Sequence, residues 1–197
     1  MRVLAIDTAL NACSVALVDN GAVLGMLSEP MQRGHAECIA PMVQEVMAQT
    51  EFSTIDRIVV TTGPGSFTGV RVGLAFARAT ALALEVPCVG VSTLEALALE
   101  NGESGWRGAR IAAPRGAYVA LFNEGDAIIA PALMDEIPLA VATDVYPQTF
   151  WAAPNPAPDI VALARRGALL DPARYPAKPL YLRAPDAKPA MARAAPV

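Results

Sequence analysis

The segment of residues 63–69 offers the clearest place where this chain could bind an anion. It reads Gly-Pro-Gly-Ser-Phe-Thr-Gly and connects a predicted strand, residues 58–62, to a predicted helix, residues 67–84. Backbone N–H groups at a helix N-terminus attract anions, and glycines let a ligand approach closely. The segment is not a Walker loop, because no Gly-Lys-Ser/Thr follows, and its third glycine comes one place late for a dinucleotide fingerprint. Phosphate binding and a simple tight turn therefore both stay open. The candidate residues are Gly63, Gly65, Ser66 and Thr68.

Asp7 and Thr8 form a second polar group that could do chemistry. They stand where the first predicted strand ends, and Asn11 and Ser14 follow them. A carboxylate at a strand end beside a polar hairpin can hold a metal–nucleotide pair. Asp and Asn side chains also commonly hydrogen-bond their own turn. The sequence leaves both roles open for Asp7 and Thr8.

The chain has one histidine and three cysteines, so many catalytic sites lack their parts. His35 precedes a predicted helix, where it could bond the helix start, contact a partner or carry one proton, but no second histidine completes a metal site. Cys13, Cys38 and Cys88 show no Cys-x-x-Cys spacing, and we expect reduced, mostly buried thiols. No Gly-x-Ser-x-Gly elbow or local Ser–His–Asp set occurs. The sequence therefore predicts no catalytic residue and no metal ligand.

The composition excludes several classes of protein. The 197 residues are 54% hydrophobic and 17% charged, with a formal net charge of −4. Disorder and a basic nucleic-acid-binding surface are therefore not expected. The longest uncharged runs fall short of the ~20 apolar residues of a membrane helix, and Asp7 interrupts any signal-peptide core, so we expect a cytoplasmic chain without membrane contact. The thinly spread basic residues of the second half are interpreted as solvated surface. They include Arg165, Arg166, Arg183, Lys188 and Arg193.

The elements that must position these residues follow an α/β order. Short apolar runs rich in β-branched residues predict strands at residues 3–7, 14–18, 22–28, 58–62 and 88–91. Helices are predicted at residues 36–49, at residues 67–84 and from Ser92 to about residue 100. A meander followed by alternating helices and strands predicts a mixed sheet with helices on its face.

The second half begins with the same pattern. Strands at residues 110–113, 117–122 and 127–130 would form another meander, and a late helix is predicted at residues 159–166. The turn chemistry of residues 101–105 marks a boundary. We therefore predict an N-terminal lobe, residues 1–103, and a smaller, Pro-rich lobe, residues 104–197. The repeated meander indicates duplication followed by truncation.

Two predicted helices carry faces that need a packing partner. One face of the 36–49 helix is apolar and contains Ile39, Met42, Val43, Val46 and Met47. In the next helix, small residues recur every four positions, at Gly69, Gly73, Ala77 and Ala81. A glycine inside a helix costs up to about 1 kcal/mol, so this stripe needs a reason. The stripe admits close packing either on the 36–49 helix or on a helix of another subunit.

Several of these segments together resemble the TsaB (YeaZ) family. The matching segments are residues 3–17, 33–37, 63–75, 86–98 and 179–183. Among them, residues 63–75 are similar to the family's most specific motif. The resemblance is dense over residues 1–100 and thin afterwards. One departure lies at residues 112–116, which read Ala-Ala-Pro-Arg-Gly and lack the acidic residue usual in the family.

The resemblance implies the actin/Hsp70-like ATPase (ribonuclease H-like) fold: an α/β chain of two related lobes, with mixed sheets and helices, whose second lobe is reduced here. It implies a role in making threonylcarbamoyladenosine, the modified adenosine next to the anticodon of tRNAs that read codons beginning with A. Members bind the paralogue TsaD as a heterodimer through helices of the first lobe, and the ATPase TsaE joins them. They can also form a homodimer. TsaD transfers the group and holds a metal with a histidine pair that this chain lacks, so we expect a non-catalytic scaffold or activator that meets tRNA only indirectly.

Carried onto this sequence, the partner interface falls on the two helices. The predicted interface residues are His35, Glu37, Ile39, Met42, Val46, Gly69, Val70, Gly73, Leu74, Ala77 and Ala81. Replacing Gly73 or Ala77 by Leu should then break the pairing while the monomer stays folded.

A nucleotide site is expected to be vestigial at most. Ala9 and Leu10 stand where actin-like ATPases usually place a glycine after the aspartate, so Asp7, Thr8 and the 63–68 loop are predicted to be its remnant. We expect no cofactor on the chain alone, and at most weak ATP or ADP with Mg²⁺ at a complex interface. The alternatives are an independent ATP-binding enzyme of the same fold and, less favoured, a peptidase-like hydrolase.

Overall fold

Two mixed β-sheets organise the part of the chain that the computed structural model describes, which is residues 1–49, 54–99, 104–134, 149–152 and 157–182. The first sheet has five strands and the second has four. Helices pack on them as the strand–helix order predicts.

The first lobe follows the predicted order of elements. They are β1 (Arg2–Asp7), β2 (Ala12–Asp19), β3 (Ala22–Pro30), α1 (His35–Ala48), β4 (Arg57–Thr61), α2 (Phe67–Leu84), β5 (Cys88–Val91) and α3 (Thr93–Ala98). The strands lie in the order β3-β2-β1-β4-β5, with β1 antiparallel to β2 and parallel to β4. The carboxyl ends of β1, β4 and β5 therefore share one edge of the sheet.

The second lobe repeats this connectivity in reduced form. Its strands are β6 (Trp106–Ala112), β7 (Ala117–Asn123), β8 (Asp126–Met134) and β9 (Phe150–Trp151), in the order β8-β7-β6-β9. As in the first lobe, three strands form an antiparallel meander and the fourth pairs in parallel with the first of them. The meander and the reduced second lobe are confirmed, whereas β9 is too short to leave a sequence signal.

The last described helix, α4 (Ile160–Leu169), belongs structurally to the first lobe. Its buried residues Ile160, Leu163 and Ala164 pack on the face of the first sheet opposite to α1 and α2. Arg57 on β4 holds its C-terminal end: Nη1 donates to the carbonyls of Gly167, Ala168 and Leu170 at 2.8, 3.1 and 2.7 Å.

The predicted boundary between residues 103 and 104 therefore separates the two sheets but not the two lobes. The chain returns to the first lobe after its second sheet is made. Beyond α4, the Leu180 N–H donates to the Thr62 carbonyl at 2.8 Å and the Gly90 N–H to the Tyr175 carbonyl at 2.9 Å. The sequence pattern did not predict that α4 packs on the first sheet, because the apolar face of a helix does not identify the sheet that buries it.

The two lobes share one hydrophobic core. Leu94 and Leu97 of α3 are buried in the same cluster as Leu4 and Ile58 of the first sheet and Phe122 of the second. The predicted α/β fold with two related lobes is confirmed.

Helix α2 is long and apolar enough, by length and composition alone, to cross a membrane, with a mean hydropathy of 1.3. Core helices of soluble proteins pass the same test. One face of α2 packs against β4 and the end of β1, as a core helix does.

Candidate functional site

The end of β1 and the loop before α2 meet at the carboxyl edge of the first sheet. The Ser66 N–H donates to the Ala9 carbonyl at 2.7 Å, and the Thr8 hydroxyl donates to the Gly69 carbonyl at 2.7 Å. The structure thus brings together the two segments that the sequence singled out separately. Among the loop candidates, Gly63 is buried, while Gly65, Ser66 and Thr68 are exposed.

Asp7 is fully buried at this edge. Its Oδ1 accepts from the Thr61 hydroxyl at 2.6 Å and from the Ala9 N–H at 3.1 Å, which is the turn role foreseen for it. Its Oδ2 has no hydrogen-bond partner among the described residues. Burial raises the pKa of the Asp7 carboxyl, and the bonds from Thr61 and Ala9, with the nearby His35, oppose that rise.

His35 begins α1 and is buried close to Asp7. Its Nε2 is buried and has no hydrogen-bond partner within the described ranges. Gly34, in the left-handed region at φ 91°, is the N-cap residue of α1, and no side chain caps that helix. The expected helix-start hydrogen bond through a side chain is therefore absent here.

Three glycines in this region are needed because Thr8 and Ala9 lie directly against them. A Cβ on Gly65 would collide with the carbonyl oxygen of Ala9. On Gly69 it would collide with the carbonyl oxygen of Thr8, and on Gly73 with the Thr8 hydroxyl. The close approach is thus made by the end of β1.

This packing decides whether a nucleotide phosphate fits the loop. The space against the glycines is filled by the peptide of Thr8 and Ala9. The Ser66 hydroxyl is also engaged, since it caps α2 by accepting from the Gly69 N–H at 3.2 Å. The Cα sides of these glycines therefore leave no room for a phosphate. Within the described ranges, no group of three or more His, Cys, Asp or Glu side chains could hold a metal ion.

The first two glycines of the small-residue stripe of α2 pack against Thr8 of this chain, contrary to the prediction. Gly69 and Gly73 face the end of β1, and neither another subunit nor α1 explains them. Ala77 is fully buried as well. The expectation that Gly73→Leu or Ala77→Leu would leave a folded monomer is therefore wrong, because a larger side chain has no space inside this chain.

The residues predicted for a partner interface are, apart from Glu37, buried within the chain itself. The buried members are His35, Ile39, Met42, Val46, Gly69, Val70, Gly73, Leu74, Ala77 and Ala81. A period of 3.6 residues marks a buried face, whichever element buries it. A partner of these two helices would meet their exposed residues instead.

The outer face of α2, defined here as Phe67, Arg71, Arg78 and Leu82, points to solvent. Phe67 is 61% exposed and Leu82 is 81% exposed. The Arg71 guanidinium lies 3.6 Å from the centre of the Phe67 ring, and its Nε donates to the Tyr181 hydroxyl at 3.1 Å. Sequence reasoning missed this cluster, because exposed aromatic residues at a helix start leave no periodic signal.

The cysteines behave as packing residues. Burial raises the pKa of the Cys13 thiol to about 12 and that of the Cys88 thiol to about 11, so both stay protonated at neutral pH. Cys13 is fully buried, whereas Cys38 and Cys88 are half-buried. All three are free thiols, as expected.

The basic residues of the second half differ from the prediction in one respect. Arg166 is not solvated surface: its Nε lies 2.9 Å from Glu95 Oε1, and the two side chains are only 15% and 13% exposed. Arg165 is exposed, as predicted. Arg183, Lys188 and Arg193 lie outside the described residues.

Segment 112–116, which departs from the family pattern, forms the β6–β7 turn. Ala113, Pro114 and Arg115 line an open cavity of about 320 Å³ together with Tyr118 and Leu133. This cavity lies in the second lobe, away from Asp7 and the loop.

Comparison with known proteins finds that the chain is similar to proteins named for tRNA modification. The family model for TsaD, tRNA N6-adenosine threonylcarbamoyltransferase, matches residues 18–120. The tRNA threonylcarbamoyladenosine biosynthesis protein TsaB of Escherichia coli is 45% identical over 109 residues, which cover 54% of this chain and 45% of that protein. The matches thus span about half the length of the curated TsaB relatives.

Two further relatives match almost end to end. An uncharacterized protein of Mycobacterium tuberculosis is 36% identical over 200 residues, covering 95% of this chain and 94% of that protein. The structure of YeaZ from Pseudomonas aeruginosa superposes with a TM-score of 0.71 at 26% identity, covering 92% of this chain and 99% of that chain.

Proposed function

We propose a function from one premise: the chain belongs to the TsaB (YeaZ) family. We infer that it acts in tRNA threonylcarbamoyladenosine biosynthesis, as a cytoplasmic subunit that binds and activates TsaD without catalytic residues of its own. The observation that carries this proposal is the match of its first half to proteins named for that biosynthesis.

The geometry of the loop supports a role without ATP turnover on this chain. The close approach at Gly65, Gly69 and Gly73 is made by Thr8 and Ala9 of this chain, which leaves no room for a ligand against these glycines. A nucleotide in the complex would then be bound mainly by TsaD. This chain would contribute at most residues along one side of the binding site.

The exposed sides of α1 and α2 support a partner-binding role. α2 carries Arg71 and Arg78 and no acidic residue, while α1 carries exposed Glu37 and Glu45 and no lysine or arginine. Neither Arg71 nor Arg78 has a carboxylate within salt-bridge distance among the described residues. Opposite charges on neighbouring helices steer and align a partner that presents the complementary pattern. A second copy of this chain presents that pattern too, so a homodimer is expected to compete with TsaD.

Reconstitution tests the proposal. Purified TsaD, TsaE and the enzyme that supplies threonylcarbamoyl-adenylate are incubated with unmodified tRNA, with and without this chain, and the modified adenosine is measured by mass spectrometry. We expect product only when the chain is present. Equal product without it would overturn the activator role.

Calorimetry with ATP and Mg²⁺ separates the proposal from the alternative of an independent ATP-binding enzyme. The isolated chain should give no heat of binding and no phosphate release, whereas the chain mixed with TsaD should bind nucleotide. Micromolar affinity with turnover by the chain alone would favour the enzyme. A peptidase-like hydrolase lacks any supporting observation among the described residues.

A further inference from the structure

Two hairpin turns occupy equivalent places in the two lobes and have the same geometry. Asn20 and Gly21 connect β2 to β3, with φ angles of 47° and 85°. Glu124 and Gly125 connect β7 to β8, with φ angles of 49° and 85°. Both are two-residue turns with positive φ at both positions, the type that matches strand twist. Each turn leaves the carbonyl of its glycine free for a donor from outside the hairpin.

Adjacent arginines on α4 supply those donors. Arg165 donates to the Gly21 carbonyl through Nε and Nη2, at 3.2 and 3.0 Å. Arg166 donates to the Gly125 carbonyl through Nη2 at 3.4 Å, while its Nε bonds Glu95 of α3 at 2.9 Å. One turn of α4 therefore contacts the same carbonyl in both copies of the repeated meander.

The helix that carries these arginines packs closely on the first lobe. Arg57 caps its C-terminal end, and a Cβ on Gly167 would stand 2.6 Å from the Val59 side chain. Glu95 lies on α3, which follows β5 in the first lobe but packs against β6 and β7 of the second. Domain motion is expected when an interface is small and polar, whereas here an apolar core and a half-buried ion pair cross it.

We propose that Arg166 forms a strap that locks the angle between the two lobes, whereas Arg165 contacts only the first lobe. The chain then acts as one rigid body and cannot make the lobe closure that an actin-like ATPase makes around its nucleotide. This inference does not depend on the identity of the partner.

A distance measurement between the lobes tests the strap. Spin labels are placed on Glu45→Cys in α1 and Arg110→Cys in β6, both exposed positions, after Cys38→Ala and Cys88→Ala remove the half-buried thiols. Double electron–electron resonance spectroscopy should give one population of distances between the two labels, unchanged by ATP with Mg²⁺. Two populations in this chain would overturn the proposal.

The matched variants remove the strap or leave it intact. Arg166→Gln should gain a second, shifted population, whereas Arg165→Gln, which makes the same charge change but loses only bonds within the first lobe, should not. If Arg166→Gln retains its circular dichroism and still shows one population, the strap is not what fixes the angle. Should Arg166→Gln fail to fold, Arg166→Lys keeps the cation but cannot reach both Glu95 and Gly125. It must then show the second population, and a single population would equally overturn the proposal.

Discussion

The two faces of α2 differ in what they touch, although they are a few ångströms apart. The inner face, defined here as Gly69, Gly73, Ala77 and Ala81, is buried within the chain, and Gly69 and Gly73 lie against Thr8 with no space for a Cβ. The outer face carries Phe67, Arg71, Arg78 and Leu82 in solvent. The inner face repeats small residues every four positions, whereas the outer face combines aromatic, basic and aliphatic residues that share no type. The comparison teaches that periodicity locates what a helix buries in its own fold, whereas a binding surface has to be found among the residues left over.

The largest effect is expected when the inner face is enlarged by one methyl group. Gly69→Ala should gain up to about 1 kcal/mol from helix propensity alone. Because the new Cβ collides with the Thr8 carbonyl, which is backbone and cannot move aside, we expect a net loss of about 3 kcal/mol in the free energy of unfolding. Urea denaturation measures it.

The control for this change lies on the exposed side of the same helix. Ala79→Leu should alter the free energy of unfolding by less than about 0.5 kcal/mol. Equal stability of Gly69→Ala and the unaltered chain would mean that the inner face has space after all, and would reopen the question of phosphate binding.

A charge on the outer face should weaken partner binding without unfolding the chain. Leu82→Asp places a carboxylate on a side chain that is 81% exposed, so stability should hold. We expect at least about a tenfold loss of affinity for TsaD, or about 1.4 kcal/mol, by calorimetric titration. Leu169→Asp on α4, at 73% exposure, is the matched control and should bind normally. Unchanged affinity of Leu82→Asp would remove the outer face from the interface.

A smaller effect is expected from the buried carboxyl beneath the inner face. Because burial raises the pKa of Asp7 in the folded state, the folded chain holds this proton more tightly than the unfolded chain. Stability should therefore fall as the pH rises above the ordinary value of 3.8, and Asp7→Asn should lack that fall. Urea denaturation between pH 4 and pH 8 compares the two slopes. Parallel slopes would show that Thr61 and Ala9 fully compensate the buried charge.

The smallest effect concerns the exposed aromatic cluster. Phe67→Leu removes the ring beneath the Arg71 guanidinium, and an exposed cation–π contact contributes about 0.5–1 kcal/mol. A double-mutant cycle with Arg71→Gln measures the coupling by thermal denaturation. A coupling near zero would mean that the outer face is held by the helix alone, and is free to rearrange against a partner.

Much of the fold could be predicted because the first hundred residues alternate cleanly between apolar strands and periodic helices. The helix predicted at 67–84 is observed as Phe67–Leu84, and the Asn20–Gly21 turn sits where its type requires positive φ. Strand ends were less accurate: β8 runs from Asp126 to Met134, beyond the predicted residues 127–130, since edge strands tolerate Pro131 and solvent-facing residues. The sheet against which α4 packs could not be predicted, because apolar periodicity shows that a helix has a buried face but not which sheet buries it.

The sequence identifies the segments that form the site, but it does not identify which residues pack against each other there. The sequence singles out the glycines of the loop and of α2 for close approach, but by a ligand and by another helix respectively. Their partner, the Thr8–Ala9 peptide, is remote in sequence, and only the fold brings it there. The ion pair of Glu95 with Arg166 is hidden for the same reason, since the two residues are 71 positions apart.

The return of α4 to the first sheet sets an order of events during synthesis. Val3, Ala5 and Val59 lie on the sheet face that α4 covers, so this face stays bare while residues 60–159 leave the ribosome. The Arg57 side chain likewise cannot donate to the carbonyls of Gly167, Ala168 and Leu170 until those residues have been synthesised. The nascent first lobe thus exposes an apolar sheet face for about a hundred residues of translation, at about 5–20 residues per second, so its exposure to chaperones and to aggregation is set by the late arrival of one short helix.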